Sequence, residues 1–539
     1  MRDFPLPRLA LLPALLLAAC ASVPPVQAPS ITSTPIAPVE VPQIQRPQGE
    51  TPAWWYLSGA ATAANQGAMQ GKAKNLILFV GDGMSLTTVA AARILAGQRL
   101  GQSGEEYRLS WEQFPHTALS RTYNIDLQTP DSAGTMSAMA TGVKTRAGVI
   151  SVDQTMWRGD CTGLSAGQRL SLWELAADAG MEIGVVSTAR LSHATPAATL
   201  AHVPDRNWES DADVPTKAAR LGCVDIASQM IHSAYGAGPR VLMGGGRSNF
   251  LPQTLADPEY PQEQGRRKDG RDLTAEWQQR HPQGAYVWNS RQLAAAPLDQ
   301  PLLGLFEPSH MQWEDQRDTG PDGEPSLAEM TRAAIERLSG HENGFVLLVE
   351  GGRIDHANHA GNAFRALNET VAMSEAVAVA RQMTSVEDTL ILVTADHSHT
   401  LSLVGYPSRG NPILDKVANQ NRSGEWSPSK DTDGLPYTTL SYANGPGYRG
   451  PGERPDLSLV DTTDPDYLQE ALVPLGSESH GGDDVGLWAS GPGSEAVRGS
   501  IEQHAIFHFM LQAHPGLRAF ACERDGCNVD GVPINLPQP

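Results

Sequence analysis

The chain predicts an α/β fold built around a large, mostly parallel sheet, and two observations carry that prediction. Residues 75–80, 345–349 and 390–393 are apolar runs without polar alternation, the habit of strands buried on both faces of a parallel sheet. Strand and helix patterns then alternate from residue 75 onward, which marks a layered α/β architecture. Each of the three runs also ends in or beside a carboxylate: Asp82, then Glu350 with Asp355, then Asp396. Ligands of open α/β sheets collect at the carboxyl ends of such strands, so these groups are expected to converge.

The elements follow in order. Arg2 and Arg8 flank a short n-region, and residues 9–17 form an apolar stretch too short to span a bilayer as a helix. It ends in Leu17-Ala18-Ala19-Cys20, which resembles a bacterial lipobox. Residues 1–19 therefore read as a signal peptide and Cys20 as the lipid-bearing first residue of an exported protein. An ordinary signal peptide cut near Ala19 or Ala21 is the plain alternative. Residues 21–52 hold eight prolines among Gln, Ser, Thr and Val, so 20–52 reads as an extended tether, on the order of 100 Å at polyproline II rise. A catalytic body spans 53–539. It opens with a short helix from Trp54-Trp55-Tyr56 toward Gln70. Residues 182–189, 240–243 and 485–490 are further strands. Residues 252–323, rich in Pro, Gly, Asp and Arg, read as an insertion, and residues 406–475, rich in Gly, Pro, Asn and Ser, as a loop-built subdomain. No other stretch reads as a membrane span.

Composition narrows the function classes. A chain of 539 residues with 40% hydrophobic content and mean hydropathy of -0.30 buries a sizeable core. The net charge of -20 lacks the basic footprint of a nucleic-acid binder. It leaves anionic substrates open, because bound metal charge overrides the global balance. Beyond Cys20, four cysteines remain, an even number that suggests disulfides in an exported protein. Cys522 and Cys527 are close enough to close a small loop, which leaves Cys161 with Cys223. Zinc ligation is the weaker reading of these four, since their spacings form no paired CxxC units.

The chemistry lies in Asp82, Glu350, Asp355, His359, Asp396 and His397. Imidazoles among so many carboxylates suit a cluster of divalent ions better than one structural zinc. Small, helix-permissive residues follow Ser132 as far as Gly142, which places Ser132 at a helix N-terminus, where backbone N–H groups favour an anion. Such a serine is commonly just an N-cap; beside a metal it becomes a nucleophile. Other histidines read as bystanders. His504 and His508 share helical spacing without a carboxylate cluster and read as packing residues, while His202 and His399 lie beside motifs without matching a ligand position. Gly244-Gly-Gly-Arg247 lacks the Lys-Ser/Thr ending of a phosphate loop.

In these motifs the chain resembles the alkaline phosphatase family. Gly81-Asp82-Gly83-Met84, Asp131-Ser132-Ala133-Gly134, Thr195-Pro196-Ala197, Val349-Glu350-Gly351 with Asp355 and His359, Thr394-Ala395-Asp396-His397 and Glu478-Ser479-His480 recur in the family's order, and the likeness runs from Trp54 to Cys527. The resemblance implies a three-layer sandwich around the sheet, with 406–475 as a crown-like subdomain. It implies that Ser132 is the nucleophile and Arg206 the phosphate clamp, a planar fork suited to two phosphate oxygens. It places one zinc on Asp355, His359 and His480, a second on Asp82, Asp396 and His397, and magnesium on Asp82, Thr195 and Glu350. The division agrees with imidazole suiting zinc and an all-oxygen set suiting magnesium.

His193 and His356 occupy positions, adjoining the ligands, where animal members carry histidine and the enteric bacterial enzyme carries Asp and Lys. The animal-type likeness extends to a calcium site on Glu259, Glu307, Glu324 and the Phe306 carbonyl. Here the chain departs from the family, which usually has Asp at 324. The implied activity is hydrolysis of small phosphate monoesters at alkaline pH through a phosphoserine, by a homodimer; the lipobox, read separately, would hold it to a bacterial membrane through its N-terminal lipid, periplasmic or at the cell surface. Two rivals differ in class. A phosphodiesterase or sulfatase-type hydrolase on a related scaffold is one, although Ser132-Ala-Gly-Thr lacks the Pro and Arg of a sulfatase motif. A non-enzymatic, metal-binding surface lipoprotein is the other.

Overall fold

In the computed structural model, the described residues are 49–537 apart from 451 and 453. The expected signal peptide, Cys20 and the tether up to residue 48 lie outside them. A helix spans Pro52–Asn65, capped by the Thr51 side chain on Trp54 N and helped by proline in its first turn. A 3-10 turn at Ala68–Gln70 then leads into the sheet, close to the helix expected from Trp54 toward Gln70.

The central sheet has ten strands: β1 (Asn75–Gly81), β2 (His116–Arg121), β3 (Glu182–Arg190), β4 (Val241–Gly245), β5 (Ala285–Val287), β6 (Leu302–Leu305), β7 (Phe345–Gly351), β8 (Thr389–Ala395), β9 (Val485–Ser490) and β10 (Gly499–Glu502). Across the sheet they run β10-β2-β9-β8-β1-β7-β3-β4-β6-β5. Only β9 runs against its neighbours, pairing antiparallel with β8 and β2. The other contacts are parallel.

The sequence alternation explains the layering. Along β1, Leu76, Leu78 and Val80 enter one apolar core while Ile77 and Phe79 enter another. β7 and β8 divide in the same way, with Val346, Leu348, Leu390 and Leu392 on the first side and Leu347, Val349, Ile391 and Val393 on the second. Because side chains alternate with period two, both faces are apolar and both must be covered. The helix Ala363–Met383 covers the second face, contributing Leu367, Met373 and Val377. The helix Ala505–Ala513 contributes Ile506, Phe507 and Met510 to the first. The three-layer sandwich follows.

Residues 252–323 do not stand apart from this sheet. They supply the last two strands on one side of it, β6 and the edge strand β5, and bury Leu273 and Trp277 in the first core. Residues 406–475 do form a region of loops and small sheets, with Ala418–Gln420 paired to Trp426–Pro428 and Leu440–Gly445 placed between Leu401–Leu403 and Ala471–Pro474. Disulfides join Cys161 to Cys223 and Cys522 to Cys527, at Cα separations of 6.1 and 4.9 Å. Among the described residues, no helix is long and apolar enough to cross a membrane.

Candidate metal centre

The middle of the sheet builds the site. β1 lies between β8 and β7, with Val80 level with Thr394 on one side and Glu350 on the other. Asp82, Glu350 and Asp396 therefore end three neighbouring strands, and all three are fully buried. The short helix Arg353–His359 follows β7 directly and carries Asp355 and His359, four residues apart and so on one face. The turn after β3 brings His193 and the short helix Ala194–Ala197 with Thr195. A two-residue strand pairs His480 with His399.

Proton bookkeeping shows what two of these clusters lack. His359 Nδ1 faces the Glu478 carbonyl at 2.5 Å, and His480 Nδ1 faces the Pro130 carbonyl at 2.7 Å. A carbonyl only accepts, so each Nδ1 carries its ring's proton and each Nε2 presents a bare lone pair. Those two Nε2 atoms sit 3.1 Å apart, and each is 3.4 Å from Asp355 Oδ1. Two lone pairs and a carboxylate aimed at one point call for a cation. The second cluster repeats the pattern. His397 Nδ1 donates to the Ser398 carbonyl at 3.2 Å, leaving Nε2 bare at 3.3 Å from Asp82 Oδ1 and 3.5 Å from Asp396 Oδ2. Ligand atoms of Asp82, Asp396 and His397 all lie within 4.8 Å of one another. Both sets fit a nitrogen- and oxygen-ligated zinc.

A third set is all oxygen. Asp82 Oδ2, Thr195 Oγ1 and Glu350 Oε1 are buried without a hydrogen-bond partner, and such orphans are rare without an ion or water to meet them. The donor set fits magnesium. The charges agree: burial, then Asp396 and Asp355, push Asp82 well above the carboxylate range. Burial also raises Asp396 and lifts Glu350 to about 8. His397 is held well below the usual imidazole range by burial and then by His480. The raised carboxylates mark crowded negative charge that a cation would relieve, and the lowered His397 keeps its imidazole neutral.

Ser132 opens the helix Ser132–Thr141, whose cap Asp131 accepts from Gly134 N at 3.1 Å. Its Oγ lies 3.2 Å from Asp82 Oδ1 and 3.1 Å from His397 Nε2. Asp131 Oδ2 also accepts from Gly148 N at 2.9 Å and from the Arg206 guanidinium at 3.2 Å. Arg206 therefore stands beside the helix that Ser132 opens, with its other NH2 group 3.2 Å from His193 Nε2. His193 packs edge-on against His356 and against a third imidazole, His310, whose ring is tilted against that of His356.

The acidic residues of the insertion meet elsewhere. Glu307 accepts from Tyr260 at 3.0 Å and Gln312 at 3.2 Å, and Glu324 accepts from Gln312 N at 2.8 Å. Glu324 Oε2 is buried without a partner, and burial followed by Glu307 lifts its pKa to about 8. Glu259 instead faces the buried Arg247, which also grips Asp257. Phe306 is fully buried on the same segment as Glu307.

Some residues read as bystanders are not. His399 stands at the centre of the site, with Nε2 2.7 Å from Asp355 Oδ1 and Nδ1 2.5 Å from Glu478 Oε2. Burial opposes its charge, but hydrogen bonds to the two carboxylates outweigh it and raise its pKa to about 10. The i, i+2 spacing of His397 and His399 at a strand end was the available signal. Arg247 is a buried ion-pair residue, held by Asp257 and Glu259. His504 and His508 do take packing positions against Trp55 and Tyr56, and His202 pairs with Glu174 at 2.8 Å.

Metal-seeking clusters beside a helix-borne serine, at the strand ends of a parallel sheet, define a class of phosphoester hydrolase. The chain belongs to the alkaline phosphatase family, whose family model matches residues 73–515. It is similar to the tissue-nonspecific alkaline phosphatase of Gallus gallus, 43% identical over 475 residues covering 86% of this chain and 89% of the relative. An alkaline phosphatase of Gadus morhua is 45% identical over 451 residues, 82% and 92% of the two chains. These relatives bear out the animal-type likeness. Among solved structures, the alkaline phosphatase of Thermus thermophilus is similar at TM-score 0.60 and 26% identity, covering 87% of this chain and 96% of its own. That of the Antarctic bacterium TAB5 gives TM-score 0.54 at 21% identity, over 82% and 98%. The protein is an enzyme that hydrolyses phosphate monoesters, and its family implies divalent metal ions.

Proposed function

We propose that the enzyme works through a phosphoserine at Ser132 at alkaline pH. The position of Ser132 Oγ carries this reading: it lies within hydrogen-bond reach of both Asp82 and the bare nitrogen of His397. Asp355, His359 and His480 would hold one zinc, Asp82, Asp396 and His397 a second, and Asp82, Thr195 and Glu350 magnesium. When bound, the zinc ions supply Lewis acidity that favours the serine alkoxide and neutralises charge on the departing oxygen. Ser132 Oγ forms the new bond to phosphorus as the ester P–O bond breaks, and the alcohol leaves with a proton. Arg206, steadied by Asp131, binds the non-bridging oxygens and compensates their charge. Water then cleaves the phosphoserine, releasing phosphate and restoring the hydroxyl.

Glu307 and Glu324, with Glu259 and the Phe306 carbonyl, would bind calcium, supported by the partnerless oxygen of Glu324. Its longer arm departs from the usual family Asp, and Arg247 competes for Glu259. His193 and His356 would shape the surroundings of the ligands rather than bind metal. The exported location draws support from the two disulfides, which persist in oxidising compartments, while the lipid anchor rests on the sequence around Cys20 alone. The homodimer rests on family likeness alone. The decisive experiment is Ser132→Ala: acid-quenched reactions with labelled phosphate ester should trap label on the wild type and none on the variant. Label trapped on another residue, or wild-type turnover by the variant, would overturn the phosphoserine reading.

A further inference from the structure

We propose that Glu478 is a positioning residue for the Asp355–His359–His480 cluster. It acts through the buried chain Glu478–His399–Asp355 and through its own backbone. The inference rests on the reading that this cluster holds a metal.

Glu478 is almost wholly buried, and both its carboxylate oxygens are already occupied. Oε1 accepts from Thr400 N at 2.7 Å and from the Thr400 hydroxyl at 2.5 Å, while Oε2 faces His399 Nδ1 at 2.5 Å. Such a carboxylate is committed to orienting a neighbour. His399 passes the constraint on, because its Nε2 grips Asp355 Oδ1 at 2.7 Å, the same oxygen that both ligand imidazoles face. With an acceptor on each side, His399 must donate from both nitrogens and cannot flip without losing one bond.

The backbone of Glu478 fixes the second ligand. Its N–H donates to the His359 carbonyl at 2.9 Å, and its carbonyl accepts from His359 Nδ1 at 2.5 Å. That acceptor sets the tautomer that leaves His359 Nε2 free. The third ligand, His480, lies two residues along and is paired directly across from His399. One buried residue is thus tied to all three ligands. Partners of this kind, standing behind the ligands, typically change metal affinity by about 10- to 100-fold when removed.

Glutamine at 478 keeps the size but offers only one accepting oxygen, so its NH2 group must face either Thr400 N–H or His399 Nδ1–H. The test titrates the metal-free full-length protein with zinc in chelator-buffered solution, with elemental analysis of bound zinc. Glu478→Gln should weaken one zinc by about 10- to 100-fold and leave the second zinc unchanged. Turnover should fall at limiting zinc and recover at saturating zinc, with KM for substrate unmoved. His399→Gln cuts the same chain one link further on. It should give the same selective loss, and the double variant should be no weaker than the worse single variant, because the two act in series. If Glu478→Gln fails to fold, His399→Gln carries the test alone. Wild-type zinc binding with unshifted isotherms in the variants would overturn the inference. A wild type that turns over p-nitrophenyl phosphate but binds no zinc would overturn the metal reading and this inference with it.

Discussion

Replacing Gly83 by alanine would press directly on the centre of the site. Gly83 adopts φ +67, and a Cβ there would lie 2.3 Å from His399 Cδ2, 2.5 Å from His399 Nε2 and 3.3 Å from Asp355 Oδ1. The left-handed backbone costs an alanine roughly 1–2 kcal/mol. The overlap adds roughly 1–3 kcal/mol, the usual range for overpacking a filled interior. His399 cannot step aside cheaply, because both its nitrogens are held by carboxylates. The sum, roughly 2–5 kcal/mol, should appear in equilibrium urea unfolding of the metal-free protein. Turnover should fall further than stability alone explains, since misplacing catalytic groups by ~1 Å can cost about 10²-fold. Gly83 N also donates to Asp396 Oδ1 at 3.0 Å, so both proposed zinc sets would feel the shift. A destabilisation under about 1 kcal/mol, small beside the overpacking range, together with wild-type kcat would refute the reasoning.

Three further outcomes are expected. His480→Ala should lose one zinc and keep the other in elemental analysis, and unchanged zinc would remove His480 from the ligand set. Glu307→Ala should lower Tm in calcium-containing buffer while leaving activity per folded molecule close to wild type; an unchanged Tm, or equal Tm values with and without calcium in the wild type, would dismiss the calcium site. Cys20→Ser should move activity from the membrane fraction to the soluble one at constant turnover, and a wild type already soluble and without acyl mass would rule out the anchor.

Much of the site was legible because its chemistry is concentrated at strand ends. The runs behind Asp82, Glu350 and Asp396 are buried on both faces, so their apolar character is continuous and their limits are clear. β2 was missed for the opposite reason: its exposed positions, Thr117, Leu119 and Arg121, alternate with buried Ala118 and Ser120, which hides it in a polar stretch. The short strands β5 and β6 were absorbed into a region read as an insertion, since the Pro and Gly around them outweighed their few apolar residues. The direction of β9 was also unreadable, because antiparallel pairing leaves no local mark on a strand buried like its neighbours. His399 was passed over because its partners, Asp355 and Glu478, are 44 and 79 residues away. Only the assembled sheet brings them together.

The place of β1 has a consequence for synthesis. It is the first strand made, yet it sits at the middle of the sheet, between β7 and β8. One edge stays unpaired until the chain has grown past residue 351 and the other until it has passed residue 395, and its side chains are apolar on both faces. An open apolar edge invites pairing with another chain, and non-local parallel pairing is slow to form. A half-made chain is therefore aggregation-prone, and it lacks Glu350, Asp355 and Asp396, the carboxylates that complete the site around Asp82. A holding factor that keeps the chain extended until its last third has emerged would protect the whole stretch.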